Sequence, residues 1–162
     1  METVNKADDT QSTASFGPAQ DGRVKPDLTN SYSGIYTTTA GTGYTQFGGT
    51  SGATPITAGC GGLLTQMWHS GVWKGHGGKA TVFLSRPEST VIKGLLVNTA
   101  YRYPLNQGGL TRAKQGWGLP DVAKAYNTRD NTYIVNETHS ICPGGTNTYK
   151  INVPAGQADL VA

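Results

Sequence analysis

The chain has 162 residues, with 13 Lys and Arg against 10 Asp and Glu, a net charge of +3. That length suits one domain of ordinary size with a sizeable core, so a disulfide staple is not required. The small charge, with no Lys/Arg cluster, argues against a nucleic-acid or membrane-surface partner, and no run approaches the roughly 20 apolar residues of a membrane span.

Residues 1–33 are polar and rich in turn signals, at Phe16-Gly17-Pro18, Asp21-Gly22 and Lys25-Pro26-Asp27. The opening Met1-Glu2-Thr3-Val4-Asn5-Lys6 has no apolar run of the kind a secretory leader carries. Two short strands are predicted next, at residues 34–39 and 43–47. Both are β-branched and aromatic and bounded by Gly.

The period then changes. Ile56, Cys60, Leu63, Leu64 and Met67 form one stripe of a helix predicted over roughly residues 51–68. Pro55 is read in its first turn, where a missing N–H is harmless. Gly59, Gly61 and Gly62 suggest close approach of another backbone. A Gly-rich loop over 69–82 holds His69, His76 and Lys79. Ser85-Arg86-Pro87-Glu88 reads as a capping box opening a second helix, with Val91, Ile92, Leu95, Leu96 and Thr99 as its stripe. A short third helix fits Pro120 to Tyr126, with Val122, Ala123 and Tyr126 on one face. Tyr133-Ile134-Val135 and the alternating Tyr149, Ile151 and Val153 read as strands.

The feature with most chemistry is Gly48-Gly49-Thr50-Ser51-Gly52-Ala53-Thr54-Pro55. A strand runs into small residues, a hydroxyl and then a helix. First-turn N–H groups have no intrahelical partner and favour negative charge nearby. That suits a nucleophile whose reaction creates an oxyanion. The plain alternative makes Thr50 or Ser51 a helix N-cap.

Gly49-Thr50-Ser51-Gly52-Ala53-Thr54-Pro55 with Ala58-Gly59 resembles the G-T-S-x-A-x-P…A-G serine motif of subtilisin-like serine proteases. Ser15-Phe16-Gly17-Pro18 through Asp27-Leu28 resembles the segment preceding that motif. Residues 92–100 resemble the helix after it. Gly116-Trp117-Gly118 resembles the closing motif of the catalytic domain. The four motifs keep the family's order over residues 14–126.

The resemblance implies an α/β fold: the C-terminal half of a subtilisin-like domain over 1–126, then the first strands of a β-sandwich over 127–162. It implies a serine endopeptidase acting on protein or peptide substrates, with Ser51 as nucleophile and the Ser51 N–H as half of an oxyanion hole. It also implies secretion. Structural calcium occurs in the family, but no metal or cofactor site is readable here. The family's base, a His in H-G-T, its orienting Asp and its oxyanion Asn all precede the Ser. None has a counterpart before Ser51, so the missing N-terminal part of the domain is an implied partner and the chain alone is expected to be inactive. Thr29-Asn30-Ser31 replaces the family's A-P-G, and Gly52 replaces the commoner Met, a change expected to matter little.

Two rivals remain. The serine motif is one residue from the G-x-S-x-G elbow of α/β-hydrolases, whose order Ser…Asp…His is met by Ser51, Asp121 or Asp130, and His139. A non-catalytic pseudoprotease or binding module is the other. His69 and His76 form no metal motif. Cys60 and Cys142 fix no redox compartment.

Overall fold

The computed structural model describes residues 2–5, 10–11, 14–104, 111–135 and 140–156. Among the described residues five strands are formed: β1 (Glu2–Asn5), β2 (Thr10–Gln11), β3 (Thr29–Ser31), β4 (Ile35–Thr38) and β5 (Tyr44–Phe47). Four α-helices follow among the same residues: α1 (Thr50–His69), α2 (Ser89–Thr99), α3 (Arg112–Gln115) and α4 (Val122–Asn127).

The predicted pair of short strands is an antiparallel hairpin, β4–β5, with Ile35 opposite Phe47 and Thr38 opposite Tyr44. Tyr36 and Tyr44 stack across it with ring centroids 5.6 Å apart. Cross-strand aromatic pairs of this kind stabilise an otherwise marginal two-stranded unit. The first 33 residues hold more than turns. They build a sheet of order β2-β1-β3, in which β1 runs parallel to β3 with Thr3 opposite Asn30.

Strand β3 is polar yet buried throughout. Its position is made tolerable by hydrogen bonding, since an unpaired buried amide is costly. Asn30 Nδ2 donates to Thr57 Oγ1 on α1 at 3.0 Å, and Asn30 Oδ1 accepts from Ser31 N at 2.8 Å. These bonds seat β3 against the helix that carries Ser51.

The core joins Leu28, Leu64, Trp68, Trp73, Val91, Leu95, Leu96 and Ala125. On α1 the buried face runs Ala53, Thr57, Leu64 and Trp68. It is rotated from the predicted stripe: Leu63 is 53% exposed, while Cys60 and Met67 are half-buried at the flank. The helical period is right, but the inner face is made by Ala53 and Thr57 toward the start of the helix and by Leu64 and Trp68 toward its end. The inward positions of α2 are Val91, Leu95, Leu96 and Thr99, as its stripe predicts.

Several local readings are corrected. Pro55 lies past the first turn of α1, so the Ser51 carbonyl, four residues back, loses its usual N–H partner. Gly59 and Gly62 face open space, and a methyl group on Gly61 would only touch Ile92 Cγ2 at 3.7 Å. Close backbone approach does not explain these glycines. Ser85 caps no helix. It is buried, its Oγ accepts from Lys79 N at 3.2 Å, and α2 starts after Glu88. In α4 the buried residue is Ala125, while Ala123 and Tyr126 are exposed. Asp121 supplies its cap, with Oδ1 accepting from Lys124 N at 2.7 Å.

The predicted tail strands are not formed among the described residues. Residues 132–135 join no strand ladder, and 140–156 contain turns and no ladder. The β-sandwich opening is therefore absent from what is described. Tyr133 still meets Tyr149, with centroids 6.3 Å apart, and Ile134 packs on the core.

Candidate active site

The site is assembled by the turn between β5 and α1. Gly49 N donates to Tyr32 O at 2.7 Å, which ties the turn to the chain leaving β3. Any Cβ on Gly48 would stand 2.8 Å from the same oxygen. Gly49 itself has φ of 78°, a left-handed conformation that glycine adopts without steric cost. Small residues at both positions let the strand reverse abruptly into the helix.

Ser51 is then the second residue of α1 and is exposed. Gly49 O accepts from Gly52 N at 2.9 Å and from Ala53 N at 3.2 Å. Among the described residues nothing accepts from the Ser51 N–H, and nothing bonds its Oγ. A hydroxyl and a free amide donor therefore emerge together at the positive end of a 20-residue helix.

The neighbour Gly52 has more consequence than its sequence reading allowed. An added Cβ would lie 2.4 Å from Ile35 Cδ1 and 3.4 Å from Phe47 Cδ1. The space that a larger residue would need is filled by the base of the β4–β5 hairpin. Ile35 and Phe47 thus wall the site, a role legible only from their pairing in register.

Two more of the resembling segments meet behind the site. Trp117 N donates to Asp27 O, and Thr29 N to Gly118 O, each at 2.9 Å. A Cβ on Gly116 would stand 2.3 Å from Pro26 O and 2.4 Å from Asp27 O. Asp27 is gripped from two sides, by Lys25 and by Lys93 of α2, the latter at 3.0 Å. Burial alone would raise its pKa, but hydrogen bonds and charge from both lysines outweigh that and hold the carboxyl below its ordinary range.

No histidine stands near Ser51 among the described residues. His69 ends α1, eighteen residues on, a helical distance of about 27 Å. His76 packs on Trp68 at that same end, with ring centroids 5.2 Å apart. Asp130 pairs with Lys74 at 3.3 Å. Asp121 is occupied in capping α4. The rival triad's His139 lies outside the described residues. Among the described residues no His, Cys, Asp and Glu side chains cluster as metal ligands. Cys60 and Cys142 are both free thiols.

The model of the subtilase family matches residues 2–118 of the chain. The chain belongs to the subtilase family. Its fold is also that of a solved relative, the CspB protease of Clostridium perfringens, with a TM-score of 0.61 at 21% identity. The similarity covers 82% of this subtilase chain and 26% of the CspB chain. A search of curated proteins finds no match. In this subtilase the family match runs from β1 to Gly118, so it takes in the serine turn and the Asp27–Trp117 junction together. No helix among the described residues is long and apolar enough to cross a membrane.

Proposed function

We propose that the chain carries the nucleophile of a subtilisin-type serine endopeptidase acting on protein or peptide substrates. The supporting observation is the placement of Ser51, exposed at the first turn of α1 beside an unbonded N–H. In the reaction, Ser51 Oγ attacks the scissile carbonyl carbon and its proton passes to a base. The C–N bond then breaks, the base returns the proton to the leaving amine, and water hydrolyses the acyl-serine. The Ser51 N–H stabilises the oxyanion of each tetrahedral intermediate.

A base must come within about 2.6–3.2 Å of Oγ, and His69 and His76 sit at the far end of α1. The proposal therefore assigns the His, its Asp and the oxyanion Asn to sequence upstream of these residues, as the family resemblance implies. By the same resemblance residues 1–126 are assigned to the peptidase domain and 127–162 to the start of a β-sandwich, although no strand of it is paired among the described residues. Secretion follows from the same resemblance. The chain by itself is inactive, because a serine without a base is a weak nucleophile.

The test compares the 162-residue chain with a longer one extended upstream, using a fluorophosphonate probe and casein. Labelling and cleavage only in the longer chain, abolished by Ser51→Ala, support the proposal. An inert longer chain favours the pseudoprotease reading. Ester hydrolysis by the short chain, stopped by His139→Ala, supports the α/β-hydrolase triad instead.

A further inference from the structure

The link between α1 and α2, residues 70–88, contains turns and bends but no helix or strand. Its flanks are fastened to the body of the fold. On one side His76 packs on Trp68, and Gly78 N donates to Trp68 O at 3.3 Å. On the other side Ser85 is buried, and its Oγ accepts from Lys79 N at 3.2 Å. That bond closes a neck beneath residues 80–84, all of which are exposed. Val82, Phe83 and Leu84 stand on this tip, with Phe83 79% exposed. None of the three belongs to the core cluster.

An endopeptidase draws backbone out of the fold around the bond it cuts, so the cost of local opening decides where a folded chain is cut. The tip has little to lose. It is held by local turn bonds, Leu84 N to Thr81 O at 3.1 Å and Ser85 N to Val82 O at 3.3 Å. Other exposed rings are better secured. Tyr36 and Tyr44 lie in the β4–β5 ladder, and Tyr126 lies inside α4.

The fold also determines what a cut would leave. Leu64, Trp68 and Trp73 come before the tip, and Val91, Leu95, Leu96 and Ala125 come after it, yet all share one core. The Lys93–Asp27 ion pair and the bonds from Trp117 N to Asp27 O and from Thr29 N to Gly118 O join the same two portions.

We infer that the tip is a processing site, where an endopeptidase selecting a large apolar residue cuts the Phe83–Leu84 bond and leaves a folded two-chain protein. Water adds across that bond, so Phe83 gains a carboxylate and Leu84 a free amine. Ser51 lies at the opposite end of α1, and the inference does not depend on the proposed peptidase activity.

The test is brief digestion of the full chain carrying Ser51→Ala with a trace of chymotrypsin, with products identified by mass. Within residues 14–104 the first cut is expected after Phe83. The pieces before and after it should co-elute in size-exclusion chromatography and keep the helical circular dichroism of the intact chain. Phe83→Asp, at an exposed position outside the core, should leave that spectrum unchanged and slow the splitting by about tenfold or more, because an apolar specificity pocket rejects a carboxylate. A first cut elsewhere within 14–104, separation of the two pieces once cut, or splitting at an unchanged rate in Phe83→Asp would each overturn the inference.

Discussion

Replacing Gly116 with Ala tests the junction behind the serine turn. Gly116 has φ of 60° and ψ of −127°, outside the regions open to L-residues, a strain of about 1–3 kcal/mol for Ala. Its new Cβ would also stand 2.3 to 2.6 Å from Pro26 O, Asp27 O and Asp27 C. All three are backbone atoms, so relief requires the Lys25-Pro26-Asp27 segment to move. Overpacking of that kind costs about 1–3 kcal/mol. The bonds from Trp117 N and Thr29 N, both 2.9 Å, cross the same junction, and each contributes about 1 kcal/mol. The expected loss is about 4 kcal/mol. For a chain of this size that lowers Tm by about 8–16 °C. Gly22→Ala is the matched control: its φ is 82° with nothing within 4 Å, so only the conformational cost applies and Tm falls by about 2–8 °C. Melting both variants by circular dichroism separates collision from conformation. If Gly116→Ala melts no lower than Gly22→Ala, the junction is softer than its geometry states and the reasoning fails.

The position of α1's inner face gives a paired expectation. Leu64→Ala should cost about 2–5 kcal/mol and Leu63→Ala under about 0.5 kcal/mol in urea unfolding; equal costs would mean the helix is rotated. Asp27→Asn should destabilise the chain at neutral pH. Because the folded pKa of Asp27 is depressed, its contribution is complete above the unfolded value of about 3.9 and is lost as pH falls through the lower folded value. Urea midpoints of the two proteins should therefore converge in acid, and a constant gap would refute the assignment. Burial pushes the Cys60 thiol up, while Cys142 is exposed. At pH 8, iodoacetamide should modify Cys142 well before Cys60, as mass mapping of the two peptides will show.

The sequence carried α1 because an apolar 3.6-residue period survives even with four glycines in the helix. It carried β4 and β5 because Gly brackets β-branched and aromatic runs. Strand β3 was hidden for a physical reason: Thr29-Asn30-Ser31 has no apolar alternation, and its burial rests on the Asn30–Thr57 bond across 27 residues. Ser85 misled because a Ser three residues before Glu looks the same whether it caps a helix or receives a loop N–H, as it does from Lys79. The exposed position of Ser51 in the first turn of α1 was legible from the motif alone. Ile35 and Phe47 were not, because strand register brings them to Gly52 and nothing local marks them.

The seating of the β4–β5 hairpin on Gly52 has a mechanical consequence. The hairpin projects about 13 Å from its base, and its turn, 39–43, is wholly exposed. Its base bears on the residue next to Ser51, with Ile35 filling the volume a Cβ would take. The hairpin and the first turn of α1 therefore share a packing contact, made by Ile35 and Phe47 at Gly52. That turn is partly uncoupled from the rest of the helix, because Pro55 removes one rung of its ladder. A residue larger than Gly at position 52 would have to displace Ile35, so the base of the hairpin and the residue beside Ser51 are fitted to one another.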